Sequence, residues 1–119
     1  MKNIADIPTF MVRDSMKIFL EHIEEHIQNA ETFVSKDPED IFHVNMIKIF
    51  GTAKKEFQLL FAEYLNSNEE LGAVKNQILV DKLRRFIQKY KAKQDVDIIY
   101  QLAGEMLETR INIVLNDDE

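Results

Sequence analysis

The chain predicts an all-α fold, an antiparallel up-down-up-down four-helix bundle, on three observations. Both of its prolines, Pro8 and Pro38, stand where a helix would begin, the one place where proline's missing N–H costs nothing. Apolar residues recur every three or four positions almost to the end of the chain, the period of a helix with one face turned to a core. The stretches between these runs are short, which favours antiparallel neighbours. Helices are expected over about 8–34, 38–65, 68–91 and 95–115, as one domain spanning residues 1–119.

Asp6 is placed to cap the first helix. Val12, Met16, Phe19, Ile23, Ile27 and Ala30 form its apolar stripe, and Glu21, Glu24, Glu25 and Glu31 make an acidic outer face. In the break at 35–40, Asp37 reads as an N-cap and Pro38 as the first residue of the second helix. Glu39 and Asp40 then add negative charge where the helix dipole favours it. The second stripe is Phe42, Met46, Ile49, Phe50, Ala53, Phe57, Leu60, Phe61 and Tyr64. Gly51, in mid-helix, costs up to ~1 kcal/mol relative to Ala, and reads as a point where a neighbouring helix comes close. Ser67 and Glu70 have the capping-box spacing, so a third helix should start near Asn68. Leu71, Val74, Ile78, Leu79, Leu83, Phe86, Ile87 and Tyr90 form its stripe, and it ends in Lys89, Lys91 and Lys93, as the dipole prefers. Asp95 is expected to cap the fourth helix, with Ile98, Ile99, Leu102, Ala103, Met106, Leu107, Ile111, Val114 and Leu115 along it. Residues 111–115 look strand-like by themselves, but the helical pattern before them outweighs that.

Composition excludes several functions. The net charge of −6 opposes general nucleic-acid binding, which needs a positive field. With no cysteine there is no disulfide, thiolate zinc site or cysteine nucleophile. No apolar run approaches the ~18 residues needed to span a bilayer, and Asp6 and Asp14 break up any leader. The chain reads as soluble and cytoplasmic, with no membrane partner.

No motif carries a specific chemistry. His22, Glu25 and His26 spell the inverted zinc-peptidase string H-x-x-E-H, but nothing else in the chain supports that reading. A di-iron bundle needs Glu-x-x-His pairs, and none occurs. A phosphotransfer bundle shares the expected architecture, yet Met46 and Ile47 follow His43 where that family places its lysine and glycine. The three serines, Ser15, Ser35 and Ser67, have no nucleophile elbow around them. No catalytic residue, cofactor or metal is expected. His22, His26 and His43 are the only candidates to hold a metal, if the first two helices bring them together.

Two features point to binding. Lys82, Arg84, Arg85, Lys89, Lys91 and Lys93 put six of fifteen basic residues within twelve positions, and Lys82, Arg85 and Lys89 share one helix face. The apolar residues also outnumber one stripe per helix: Phe10, Ile18, Phe33, Ile41, Val44 and Leu59 lie outside the stripes. The fourth helix, moreover, is apolar nearly all round at its end. Surplus of this kind marks a partner surface. The chain is therefore expected to be a non-enzymatic helical interaction module, a small regulator, adaptor or chaperone-like protein. It would bind another protein or itself as a homodimer, through Lys82, Arg85, Lys89, Ile111, Val114 and Leu115. The alternatives are an all-α ligand-sensing bundle with Met, Phe and Tyr lining a cleft, and a histidine-based metal or phosphotransfer bundle.

Overall fold

The computed structural model describes residues 4–116, and among them every regular element is helical. Five α-helices follow one another: α1 (Thr9–Lys36), α2 (Ile41–Leu60), α3 (Ala62–Leu65), α4 (Ala73–Lys91) and α5 (Ile98–Asn116). Single 3-10 turns lie at Ile4–Asp6 and Ala92–Asp95. No helix among the described residues is long and apolar enough to cross a membrane. The 116–119 tail falls largely outside the described residues.

Most positions of the apolar stripes close into one core, but Phe42, Val74, Ile78, Ile98 and Leu102, expected in it, stand exposed. Val12, Met16, Phe19 and Ile23 of α1 meet Phe50, Ala53 and Phe57 of α2, Leu79, Leu83 and Tyr90 of α4, and Ile99, Ala103 and Leu107 of α5. Residues late in α1 face residues early in α2: Phe33 stacks on His43 at 4.2 Å, the Lys54 ammonium donates to Glu24 at 2.7 Å, and Phe19 meets Phe57 edge-on at 4.9 Å. α4 and α5 pair in the same opposed sense, the Lys91 ammonium donating to Glu108 at 3.0 Å. α5 touches α1, α2 and α4. That is why it is apolar nearly all round: three neighbours need three faces.

The caps differ from the sequence reading in a consistent way. Asp6 does not cap α1. Pro8 occupies the N-cap in extended backbone with no side-chain bond. The free N–H groups of Thr9 and Phe10 donate instead to the two Glu70 oxygens, at 2.7 and 3.0 Å, from a loop some sixty residues away. Glu70 thus caps α1, not the third long helix, which begins later than expected, at Ala73 after Gly72. Ser67 accepts only from the Glu69 N–H. At the next start, Asp40 displaces Asp37 as cap because it makes two bonds to one residue. It accepts from the His43 backbone N–H at 3.2 Å and contacts His43 Nδ1 at 2.7 Å. Asp37 instead accepts from the Glu39 N–H in the turn. Asp97, accepting from the Ile99 N–H, takes the role expected of Asp95.

A polar knot ties the 61–72 connection to the start of α1. The Thr9 hydroxyl donates to Asn76 Oδ1 and accepts from the Leu71 N–H, and the Asn76 amide donates to the Ile7 carbonyl at 2.7 Å. Arg13 is buried, its Nε donating to the Tyr64 carbonyl at 2.7 Å and its Nη2 to the Glu69 carbonyl at 2.9 Å. The Tyr64 carbonyl sits at the end of α3, where a cation is favoured, and the Glu69 carbonyl lies in the loop that follows.

The two informative glycines exchange roles. A Cβ built on Gly51 would meet nothing within 4 Å, so no helix approaches there. Gly104, on α5, is the true point of close approach. Its Cβ would lie 3.1 Å from the Ile87 carbonyl oxygen and 3.2 Å from the Lys91 nitrogen.

Candidate interaction surface

Aromatic side chains hold α2 and α4 apart. Phe57 meets Phe86 at 5.3 Å, Phe61 meets Phe86 at 6.3 Å, and Phe86 stacks on Tyr90 at 4.5 Å. These rings fill the space between the helices while the two backbones hardly approach each other. The separation opens a groove of about 280 Å³ along the outside, with Phe61 and Phe86 at its floor and Leu60, Lys82, Arg85 and Lys89 at its rim. Leu60 is 55% exposed although its spacing places it with the core residues of α2.

The predicted basic face lies on this groove: Lys82, Arg85 and Lys89 project from successive turns of α4 along one wall. Two of them reach across. The Lys89 ammonium donates to Glu56 of α2 at 2.9 Å, and the Lys82 ammonium lies 5.5 Å from the centre of the Tyr64 ring of α3. Between these two bridges stands Arg85, exposed and without an ion pair among the described residues. Behind the Lys89 bridge, burial pushes the Tyr90 phenol far above its ordinary pKa, and the Glu56 carboxylate pushes it further, so it stays neutral. One wall of the groove therefore carries positive charge over an aromatic floor.

The other predicted contact residues lie elsewhere. Ile111, Val114 and Leu115 are 3%, 6% and 3% exposed and belong to the core, because α5 is enclosed by three helices. Of that segment's apolar side chains only Ile113 faces out. The fold does not gather the histidines. His26 lies against Phe50, whereas His43 is held by Asp40 and sandwiched near Phe33 and Phe42. Position 50 is seven residues from position 43, so the two rings sit about 10 Å apart along α2 at 1.5 Å per residue. Among the described residues, no three His, Asp or Glu side chains converge as a metal site would require.

Leu60, Phe61 and Phe86 are the groove residues that sequence reasoning assigned only to the core. Their spacing is that of any stripe residue; the signal was the run of Phe residues on the second long helix, with Phe86 and Tyr90 on the third.

A second, smaller cleft of about 240 Å³ lies between α1, α2 and α5, where Met46, Phe50, Leu102 and Met106 face His26 and Glu105. A separate apolar group, Phe33, Ile41, Phe42 and Val44, is exposed at the α1–α2 turn. The carboxylates held below their ordinary pKa all have structural partners: Glu24 is held down by Lys54, Asp40 by His43, and Glu70 by the Thr9 and Phe10 N–H groups. No family model, no curated protein and no solved structure matches this chain.

Proposed function

We propose that this chain is a non-enzymatic interaction module, a small regulator, adaptor or chaperone-like protein of the cytoplasm, and that the α2/α4 groove is where it binds another protein. The long helices are read as an up-down-up-down bundle, with α3 continuing α2 after a break at Phe61. The opposed pairings of α1 with α2 and of α4 with α5 support that reading.

The observation that carries the function is the groove itself: exposed Leu60 and two buried phenylalanines overlooked by three cations. A concave strip with an apolar floor and a charged rim is the pattern of a helix-binding groove. The non-enzymatic reading is supported by the titrating groups, since each shifted carboxylate serves a cap or an ion pair. Self-association through the end of α5 is no longer the favoured form, because those side chains are spent on the core.

Affinity capture from the source lysate with wild-type chain and with Leu60→Asp tests this. A specific protein held by the first and lost by the second is expected. Identical captures, or none, would sink it. Light scattering on both proteins tells a homodimer from a hetero-complex.

The Met46, Phe50 and Met106 cleft favours one alternative, ligand sensing, since thioethers and rings adapt to small apolar molecules. A thermal-shift screen with small hydrophobic compounds separates the two: a rise of several degrees, cancelled by Met106→Glu, would support it.

A further inference from the structure

Resting on the groove reading above, we infer that the occupant is an acidic amphipathic helix of another protein. It would seat a large apolar side chain against Leu60, over the buried Phe61 and Phe86 rings, and present carboxylates to Arg85 and Lys82. Three features select this partner. First, the groove is open to solvent, and its volume of about 280 Å³ is at the lower limit of the roughly 300–1,000 Å³ of sites that enclose a drug-sized ligand. It suits inserted side chains better than a whole small molecule. Second, the cations divide into used and unused. Lys89 is neutralised by Glu56, whereas Arg85 has no acid and Lys82 has only the Tyr64 ring, among the described residues. Among the cations that line the groove, the unsatisfied charge thus lies at positions 82 and 85, one turn apart on α4. Third, a helix lying along α4 repeats at the same rise, so acids one turn apart on the partner match 82 and 85, with an apolar anchor on the same side. Arg85 adds a planar fork that takes a carboxylate through two N–H groups.

A nucleic acid would meet the same cations but would leave the Leu60, Phe61 and Phe86 surface unused, and the remaining surface of a chain of net charge −6 would repel it. A second copy of this chain would have to offer the acidic face of α1. That joins two different surfaces, and it closes into a pair only if a two-fold axis sets each groove on α1 of the other copy.

The test uses fluorescein-labelled helical peptides in anisotropy titrations against the full chain. One pair carries Glu residues one turn apart beside Leu or Phe anchors. A matched pair has the Glu replaced by Gln, and a third by Lys. The Glu peptides are expected to bind saturably, the Gln peptides about tenfold more weakly, and the Lys peptides not measurably. Arg85→Glu with Lys82→Glu should reverse the order, so that the Lys peptides bind and the Glu peptides do not. Both side chains are exposed, so circular dichroism should show an unchanged fold. Leu60→Asp should weaken every peptide.

Equal binding of Glu and Gln peptides, no binding of either Glu peptide, or tighter binding of a single-stranded oligonucleotide would each overturn the acidic-helix assignment. A dimer of the wild-type chain that Leu60→Asp converts to monomer would overturn it in favour of a second copy. In all these cases the groove reading survives if Leu60→Asp still abolishes capture of a partner. It falls with the acidic helix only if capture too is unaffected.

Discussion

α4 meets its two neighbours in opposite ways. Toward α5 it is closed. Gly104 removes the side chain at the crossing, Ala103 beside it is fully buried, and the Lys91–Glu108 pair spans the seam at 3.0 Å. Toward α2 it is propped open by Phe57, Phe61, Phe86 and Tyr90, with ring centres 4.5–6.3 Å apart from one neighbour to the next. The distance between packed helices follows the bulk of the residues at the contact. One helix thus carries a seam fit only for stability and a face that leaves room for something else. An open face alone would be a packing fault. This one also bears an exposed leucine and an uncommitted arginine, and that combination makes it a candidate surface.

Removing a prop should have the largest effect. Phe57 is fully buried and touches Phe19, Phe61 and Phe86. Phe57→Ala should destabilise by about 3–5 kcal/mol, the cost of a lost aromatic plus its cavity, read as a lower urea midpoint. Because the ring holds α2 off α4, the variant should also lose binding at the groove. A variant that unfolds at the wild-type midpoint would show that the rings do not determine the spacing.

The seam can be broken from the other side. Gly104→Ala places a methyl against the Ile87 carbonyl oxygen and the Lys91 backbone, neither of which can rotate away. It should cost about 1–3 kcal/mol, as overpacking does. Gly51→Ala is its counterpart. The methyl enters open space on a helix, so stability should rise by up to about 1 kcal/mol. Thermal melts of the two variants should shift in opposite directions, and equal shifts would remove the distinction between the glycines.

That contrast also explains what the sequence made legible. The four long helices and most of the core could be read, since a 3.6-residue stripe reports on the helix that carries it. The Lys82, Arg85 and Lys89 face was readable for the same reason. What could not be read depends on register between helices. Gly51 and Gly104 are alike in the sequence and differ only in what stands opposite. Glu70 looks like the local partner of Ser67 until the fold carries it beside Thr9. Ile111, Val114 and Leu115 look like surplus until three neighbours are counted around α5. Leu60 looks like core until four rings hold α4 away from it.

The smallest expected effect lies away from the groove, where Glu70 anchors the connection between α3 and α4 to the start of α1. The Thr9 and Phe10 N–H groups bind its charged form and hold its pKa below the ordinary carboxylate value. A carboxylate with a lowered folded pKa contributes its full stability above the unfolded value and loses it as pH falls through the folded one. Glu70→Gln should therefore melt below wild type at neutral pH, and the gap should narrow to nothing as both proteins are acidified past the folded pKa. Melting curves over that range provide the check. A gap that stayed constant with pH would mean that Glu70 acts through packing and not through its charge, and the loop would then be held chiefly by Arg13 and the Thr9–Asn76 pair.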